Sequence, residues 1–516
     1  MRRQVIICVI PLFFYSNLSI SQKVLYSPFI DGKFEVVGKS GNYYWVERRE
    51  TIKMGRHEEA ERQTLDIYNT RMQLLNSISP FNISDSLLKE YFVSNEDFLD
   101  QLLLVQRNNK TSLVLNRYSP EGERMNEGKT LLNLPFNEDG NSFILVRSED
   151  KSKLLLLCFE GDTEGRKLHA FLFDGNWNLI KYTRYKHYLI TQPLIQDDFT
   201  SFPIECFSNG PLKLANSGEW LMATPSRINS NFLLFHFNAT DTGYNSKEIK
   251  LPATSTWEDV DLAIDNERQE VFAGIVSIFQ YQPLKNVQVV HYSMPDHALD
   301  FDSSYRFNTL MAYRILNQNL THESFIMVPG TGFMLLKEYG RPYETDYYDN
   351  NQYIAPGGLE SVFTENYIVN TVTPLMVNRD GYTRYDRLSG PRALYNRGDL
   401  SLFYFPAHTN DSCWSGIIDK EQVTEFNTPY LSYLVMPVNK RIFFLYNSFY
   451  KENDDYQFGN ATILDYKGNL VIDEGMVYWK LRNTLDFQQS HQIGQNEVAI
   501  PYENFKRKGF AIVRFE

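Results

Sequence analysis

The chain has 516 residues, a formal net charge of −12, 43% hydrophobic and 22% charged residues, the composition of an ordinary globular protein. Its acidic balance argues against a nucleic-acid ligand, because binding to phosphates requires a basic surface. Aromatic residues make up 15% of the chain, and this abundance favours β-strands, on whose pleated surface large flat side chains pack well.

The N-terminus has the layout of a cleavable signal peptide. Two arginines precede an apolar run over Val5–Tyr15, and Ser19 and Ser21 place small residues before the expected cleavage site. The apolar run is shorter than the roughly 20 residues of a membrane-spanning helix, and no later run approaches that length. We therefore predict a signal peptide over residues 1–21 and a mature chain that begins at Gln22, has no transmembrane anchor and is secreted or periplasmic.

Short strands separated by polar turns follow along most of the chain. Val24–Tyr26 and Phe34–Val37 are predicted strands, and Asp85–Tyr91 is the best helical candidate, only two turns long. The clearest unit runs from Ser142 to Tyr185 and contains four predicted strands: Ser142–Arg147, Lys153–Phe159, Lys167–Phe173 and Leu179–Tyr185. Tight polar turns join them, which is typical of an antiparallel meander.

Pairs of strands that resemble the second half of this unit recur along the chain. They lie within Ile67–Leu75, Leu115–Met125, Phe232–Leu251, Val287–Phe307 and Ile463–Val471. The last predicted strands, Glu497–Tyr502 and Gly509–Phe515, run close to the C-terminus, where they could complete one sheet together with the N-terminal strands. Pairing of the N- and C-terminal strands would close the ring of sheets, whereas an open ring would leave sheet edges unpaired.

This pattern of four-stranded repeats resembles the β-propeller superfamily, although no motif of a named propeller family occurs. The resemblance implies an all-β fold of about seven or eight four-stranded antiparallel blades, closed by pairing of the N- and C-terminal strands, in a single domain over residues 22–516. Radial repetition of small sheets accounts for a chain of this length more naturally than one β-sandwich does. Tandem sandwiches remain an alternative, but no linker separates them.

One segment, at about residues 339–406, departs from the repeat and is predicted as a long insertion beside the channel mouth. It is rich in Tyr, Gly, Arg and Asp, and long ordered loops frequently carry function. Tyrosine offers an apolar face and a polar tip, and arginine adds cation–π contacts. The predicted ligand-binding residues are Arg341, Tyr343, Tyr347, Tyr348 and Tyr353. In the alternative interpretation these tyrosines only pack on the rim of a blade.

The sequence predicts no cofactor and no metal site, and it leaves any catalytic residues unknown. No GxSxG or complete HExxH motif occurs. Cys158, Cys206 and Cys413 follow the signal peptide, so at most one disulfide can form among them, and the pairing stays open. We expect an exported, non-enzymatic propeller that binds a protein or carbohydrate ligand. The alternative is a propeller glycosidase or polysaccharide lyase, which would need facing carboxylates at one channel mouth.

Overall fold

The computed structural model describes residues 22–515 apart from gaps between elements, of which the longest are 187–209, 305–319 and 347–391. The described residues form eight antiparallel sheets. They contain no helix, and hence none that is long and apolar enough to cross a membrane. This confirms the predicted all-β propeller and fixes the number of blades at the upper of the two expected values.

Blades 1 to 4 each contain four strands in sequence order, here called A to D. Blade 1 contains β2 (Lys33–Ser40), β3 (Tyr43–Lys53), β4 (Glu59–Asn69) and β5 (Leu74–Ile78). Blade 2 contains β6 (Ser86–Ser94), β7 (Leu99–Arg107), β8 (Lys110–Tyr118) and β9 (Lys129–Asn133). Blade 3 contains β10 (Ser142–Arg147), β11 (Lys153–Glu160), β12 (Lys167–Asp174) and β13 (Leu179–Lys186). Blade 4 contains β14 (Leu212–Leu214), β15 (Trp220–Pro225), β16 (Phe232–Phe237) and β17 (Tyr244–Ile249).

Blades 5 to 7 repeat this order, with one additional strand in blade 6. Blade 5 contains β18 (Ser255–Asp265), β19 (Glu270–Phe279), β20 (Lys285–Ser293) and β21 (Ala298–Ser304). Blade 6 contains β22 (Leu320–Val328), β23 (Gly332–Asp346), β24 (Arg392–Pro406), β25 (Trp414–Ile418) and β26 (Gln422–Thr424). Blade 7 contains β27 (Tyr433–Val438), β28 (Arg441–Phe449), β29 (Gln457–Asp465) and β30 (Leu470–Gly475).

Blade 8 joins the two ends of the described chain. It contains β31 (Thr484–Leu485), β32 (His491–Gly494), β33 (Glu497–Asn504), β34 (Arg507–Phe515) and β1 (Gln22–Tyr26). The N-terminal β1 pairs with β34 as the outermost strand, so the predicted closure is confirmed. An ion pair of 2.7 Å between Lys39 Nζ and Glu497 Oε2 further ties blade 1 to blade 8.

The A strands of neighbouring blades contact one another around the ring: β2 touches β6 and β32, and β14 touches both β10 and β18. The A strands are therefore innermost. Because successive strands are antiparallel, the B–C and D–A connections lie on one side of the ring, called here the B–C face. The A–B and C–D turns lie on the opposite side, the A–B face.

The predicted meander of blade 3 is confirmed to within one residue at each strand end. Its second strand shows why the sequence contains such long apolar runs. Leu154, Leu156 and Cys158 pack against blade 2, whereas Leu155 and Leu157 pack against blade 4. A strand buried on both faces loses the usual alternation of apolar and polar residues. The side chain of Cys158 is buried; Cys206 and Cys413 lie outside the described residues, so the pairing of the cysteines stays open.

Two local predictions were wrong. The segment proposed as a short helix at Asp85–Tyr91 instead contains the start of β6, whose register shifts between Leu87 and Lys89. This bulge hides the two-residue period of the strand. In addition, Phe34–Val37 lies in β2, which begins blade 1 rather than completing the closing blade.

The C–D turns share one device that joins consecutive blades. In five of them, a residue with positive φ donates its backbone N–H to the carbonyl three residues earlier; these residues are Met72, Gly122, Trp177, His297 and Gly468. We call them the turn residues. Each turn residue lies against the preceding blade in the ring; Gly122 of blade 2, for example, lies against Ile67 of blade 1.

Two turn residues illustrate how this joint works. Met72 is 3% exposed and packs with Ile493 and Phe510 of blade 8. Trp177 reaches into blade 2, where its Nε1 donates to Asp100 Oδ2 at 2.8 Å. Where the turn residue is glycine, a side chain of the preceding blade occupies the space between the blades. At Gly468 this side chain is Trp414 of blade 6, because a Cβ on the glycine would lie 2.7 Å from the indole ring.

Candidate functional site

The strands of the B–C hairpin of blade 6 are longer than those of the other blades, among which blade 1 has the next longest pair, of 11 residues each. Strands β23 and β24 of blade 6 have 15 residues each, whereas the corresponding strands of blade 3 have 8 each. Residues 392–397 of β24 pair with the far end of β23, and residues 395–397 also pair with β26. We call this three-stranded extension, residues 340–346, 392–397 and 422–424, the blade 6 arm. It extends toward the B–C face.

The sequence predicted ligand-binding residues in this segment, and two of them lie in described strands. Arg341 pairs with Asn396, and Tyr343 follows Pro342 at a shift of register before Glu344. Such a bulge bends a strand locally. Tyr347, Tyr348 and Tyr353 lie outside the described residues. The first eight and the last fifteen residues of the predicted insertion are thus strands of blade 6.

A second polar feature on the B–C side was not predicted from the sequence. Glu35 of β2 lies directly opposite Glu47 of β3, and both are on the side of blade 1 that faces blade 2. Side chains in such cross-strand pairs have Cβ atoms about 5 Å apart. Glu47 Oε1 accepts hydrogen bonds from Arg49 Nε at 2.5 Å and from Gln63 Nε2 at 2.9 Å.

The same amide links this pair to blade 2. Gln63 Nε2 also donates to Glu90 Oε2 at 2.9 Å, and Gln101 Nε2 donates to Glu90 Oε1 at 2.6 Å. Gln101 in turn bonds Tyr118 Oη and the backbone of Phe81, in the connection between the two blades. We call Glu35, Glu47, Gln63, Glu90 and Gln101 the acidic network. It joins two blades and their connection.

Burial raises the pKa of two carboxyl groups in the network. The pKa of Glu35 rises to about 7, first because protein surrounds the carboxyl and then because the Glu47 charge repels a second charge. The side chain is nevertheless open to solvent, which places it in a concavity of the surface. Burial also raises the pKa of Glu90, although hydrogen bonds from Gln63 and Gln101 oppose this shift.

The raised pKa of Glu35 predicts a pH dependence of stability. Between the unfolded value of 4.5 and the folded value of about 7, the folded state binds more protons, so the free energy of unfolding falls as pH rises through this window. Because Glu35 is exposed, solvent screens the effect, and we expect a decrease of about 1 kcal/mol. Urea unfolding of the Glu35→Gln variant from pH 4.5 to 8 should show a flatter profile than the parent.

The exposed Glu123 supplies a matched control, since Glu123→Gln removes a carboxylate from a surface turn. We expect that variant to keep the slope of the parent protein. An unchanged slope in Glu35→Gln would contradict the assignment.

The acidic network does not have the form of a glycosidase dyad. The Glu47 side chain is 2% exposed, and its Oε2 is buried without a hydrogen-bond partner among the described residues. A sugar ring therefore cannot reach this carboxylate, although both catalytic carboxyl groups must contact the substrate. Nor do the described residues contain a group of three or more His, Cys, Asp or Glu arranged to hold a metal ion. The network is suited to joining blades and to binding protons.

Neither a protein-family model nor a curated protein sequence matches this chain. Among solved structures it is similar to the WD40 domain of SCAP from fission yeast (8% identity, TM-score 0.38, 96% of this chain and 98% of that one). It is also similar to the Dos1 propeller (9% identity, TM-score 0.41, 94% of each chain). A third is the polysaccharide lyase Uly1 (11% identity, TM-score 0.35, 86% of this chain and 92% of that one). Likenesses this distant carry no argument about function. By its own strand pairing, the chain is an eight-bladed β-propeller.

Proposed function

We propose that this chain is an exported, non-enzymatic propeller that binds a protein or carbohydrate ligand at its B–C face through the blade 6 arm. The supporting observation is the length of the arm. The strands of this hairpin have 15 residues each, four more than the next longest pair, in blade 1. The third strand of the arm, β26, approaches β28 of blade 7, and a binding role accounts for the additional length of the other two strands.

The composition of the arm and of the residues that follow it in sequence suits such a role. Arg341 and Tyr343 lie on the arm, and the chain continues from it directly into Tyr347 and Tyr348. Tyrosine provides contact area at a low cost in conformational entropy, and arginine stacks on aromatic rings and binds carboxylates with two parallel hydrogen bonds. Sugar rings and extended peptides both offer partners for these groups.

Replacing Tyr347 and Tyr348 together with alanine should weaken ligand binding and leave the melting temperature almost unchanged. Each aromatic stacking contact contributes about 0.5–1.5 kcal/mol, so the double variant should lose roughly 5- to 150-fold in affinity. Binding would be measured by glycan array and by a displayed peptide library, and thermal stability by calorimetry.

The control replaces Leu74 and Leu75 with alanine. Both are about half exposed on β5 at the perimeter of blade 1, away from the B–C face of blade 6. That variant should bind as the parent does. If the tyrosine variant instead loses several degrees of melting temperature with binding intact, the tyrosines pack on the blade rim and the proposal fails.

Export is the second part of the proposal and places the protein outside the cytoplasm, secreted or periplasmic. The predicted signal peptide, residues 1–21, lies outside the described residues. The closing strand β1 begins at Gln22, so cleavage at the predicted position would leave each described strand whole.

Intact-mass spectrometry of the protein from its native host tests export directly. We expect a chain that begins at Gln22. A mass that includes Met1 would refute cleavage, and a start several residues beyond Gln22 would remove part of the pairing of β1 with Phe515 and Arg514.

The alternative function, cleavage of a glycan as a glycosidase or polysaccharide lyase, is separated from binding by the same screen. Products are measured on every glycan that binds. Since Glu47 is not accessible to a substrate, turnover would have to depend on a pair of carboxyl groups other than Glu35 and Glu47, and its detection would replace the scaffold proposal.

A further inference from the structure

A cluster of imidazole and phenol groups lies on the A–B face between blades 4 and 5, away from the arm and the acidic network. His236 of β16 and Tyr292 of β20 are each 1% exposed, and His297 is the turn residue of blade 5. His236 Nδ1 lies 2.9 Å from Tyr292 Oη and 3.2 Å from His297 Nδ1, and Tyr292 Oη lies 3.5 Å from His297 Nδ1. Three potential ligand atoms thus form a compact triangle.

The size of this triangle matches one face of a tetrahedral metal site. With metal–ligand distances of about 2.0–2.1 Å, neighbouring ligand atoms in a tetrahedral zinc site lie about 3.3 Å apart. The three observed separations of 2.9, 3.2 and 3.5 Å bracket that value. A hydrogen bond between the two imidazole nitrogens uses a single proton, and a metal ion can take the place of this proton without moving either ring far.

The surroundings of His236 also match those of a metal ligand. Its other ring nitrogen, Nε2, lies 3.7 Å from Glu219 Oε1. Metal-bound histidines usually present their second nitrogen to a carboxylate, which fixes the ring and makes it a better ligand. Glu219 is therefore positioned to orient the His236 ring.

Access and charge are favourable as well. His236 and Tyr292 form the buried floor of the cluster, whereas His297 is half-buried and the side chain of Glu219 is 25% exposed, so an ion can enter from the partly exposed side. One phenolate and the Glu219 carboxylate together balance a charge of +2. On binding, the Tyr292 phenol gives its proton to solvent as the metal–oxygen bond forms.

We propose that His236, Tyr292 and His297 bind one divalent transition-metal ion, Zn²⁺ or Cu²⁺, with Glu219 orienting His236 from behind. Imidazole nitrogen and phenolate oxygen suit both ions, and Mg²⁺ and Ca²⁺ prefer sites built from oxygen alone. The ion would connect strand C of blade 4 to strand C and the C–D turn of blade 5. This site is independent of the ligand-binding function proposed for the blade 6 arm.

Titration calorimetry of the metal-free protein with ZnCl₂ and with CuCl₂ tests the proposal, with CaCl₂ as the control ion. We expect one Zn²⁺ or Cu²⁺ per chain and no binding of Ca²⁺ at this site. Tyr292→Phe keeps the ring and removes the oxygen, and His297→Asn keeps a residue that tolerates positive φ. Each should weaken metal binding at least tenfold, and Glu219→Gln should weaken it by about 10- to 100-fold.

A second readout separates coordination from a general loss of structure. Cu²⁺ bound to a phenolate gives a visible charge-transfer absorption band, and this band should vanish in Tyr292→Phe while circular dichroism stays unchanged. His169→Gln is the matched control, because the His169 imidazole of blade 3 also contacts a tyrosine hydroxyl, that of Tyr182, at 3.0 Å. Equal affinity in the parent and the three site variants would overturn the proposal, as would a band that persists in Tyr292→Phe.

Discussion

Replacing Arg117 with methionine should lower the free energy of unfolding by about 3–5 kcal/mol, because it leaves a buried carboxylate without its cation. Asp100 is fully buried and accepts hydrogen bonds from Arg117 Nε at 2.7 Å and from Arg117 Nη2 at 3.0 Å. Trp177 of blade 3 and Asn95 also donate to this carboxylate, at 2.8 and 3.4 Å. The substitution keeps most of the side-chain volume and removes the charge, and urea unfolding monitored by circular dichroism would measure the loss.

The effect should depend on pH. Burial raises the pKa of Asp100 above its ordinary value, and without Arg117 the carboxyl can avoid its unpaired charge only by binding a proton. The folded variant then binds a proton that the unfolded chain has released, so its stability falls more steeply with rising pH than that of the parent. The deficit should therefore shrink at acid pH.

Two variants test this interpretation. Adding Asp100→Asn to Arg117→Met removes the charge and keeps an acceptor for Trp177, so the pair should recover part of the lost stability. Arg124→Met removes an exposed guanidinium that lies over the Phe81 ring at 4.1 Å, and it should cost less than about 1 kcal/mol. A similar loss of unfolding free energy in Arg117→Met and Arg124→Met would mean that the buried ion pair stabilises the protein no more than an exposed arginine does.

The second large effect is expected at Gly468, the turn residue of blade 7. Gly468→Ala should destabilise the protein by about 3 kcal/mol, the sum of about 1–2 kcal/mol for a left-handed residue and 1–3 kcal/mol for overpacking. Its φ is +81°, and the new Cβ would lie 2.7 Å from a ring carbon of Trp414. This indole is held in place, since its Nε1 donates to the Tyr466 carbonyl at 3.3 Å.

Gly41 separates the two contributions. It also has positive φ, +54°, but a Cβ there would have its nearest neighbour at 3.6 Å, an ordinary contact. Gly41→Ala should therefore show only the conformational cost of about 1–2 kcal/mol. A double variant that also shortens Trp414 to leucine should reduce the penalty at Gly468, and calorimetric melting would compare all four proteins. Equal losses at both glycines would exclude the steric contact as a cause.

The fold could be predicted because its repeating unit is visible in the sequence. In blade 3 the strands are separated by turns such as Asp174–Asn178, whose aspartate accepts backbone hydrogen bonds from Asn176 and Asn178. Polar turn residues between apolar runs are a local signal. The prediction failed at β6 because a bulge, which depends on pairing with β7, removed the period. The exact number of blades could not be predicted, because the segments between the repeats vary in length.

Sites built by residues of two neighbouring blades could not be predicted from the sequence. Glu35 and Glu90 are 55 residues apart in sequence, and only the packing of blade 1 on blade 2 links both to Gln63 or Glu47. His236 and His297 belong to different repeats, and nothing local distinguishes them from a histidine such as His169, which also contacts a tyrosine hydroxyl. A useful signal would have been the position of His236 and Tyr292, because each is the second-last residue of strand C in consecutive blades.

The turn residues give the ring an order of completion. At two joints between blades, the C–D turn of the later blade packs against the earlier blade. Trp177 of blade 3 contacts Asp100 of blade 2, and Gly468 of blade 7 lies against Trp414 of blade 6. During synthesis one face of a blade therefore stays uncovered until the next blade has emerged from the ribosome. Blade 8 reverses this order, because the turn residue that packs against it, Met72, belongs to blade 1 and is synthesised long before it. The last step of folding then consists of the oldest blade meeting the newest, and a chain halted before β33 and β34 would present an apolar edge to chaperones at both ends of the arc.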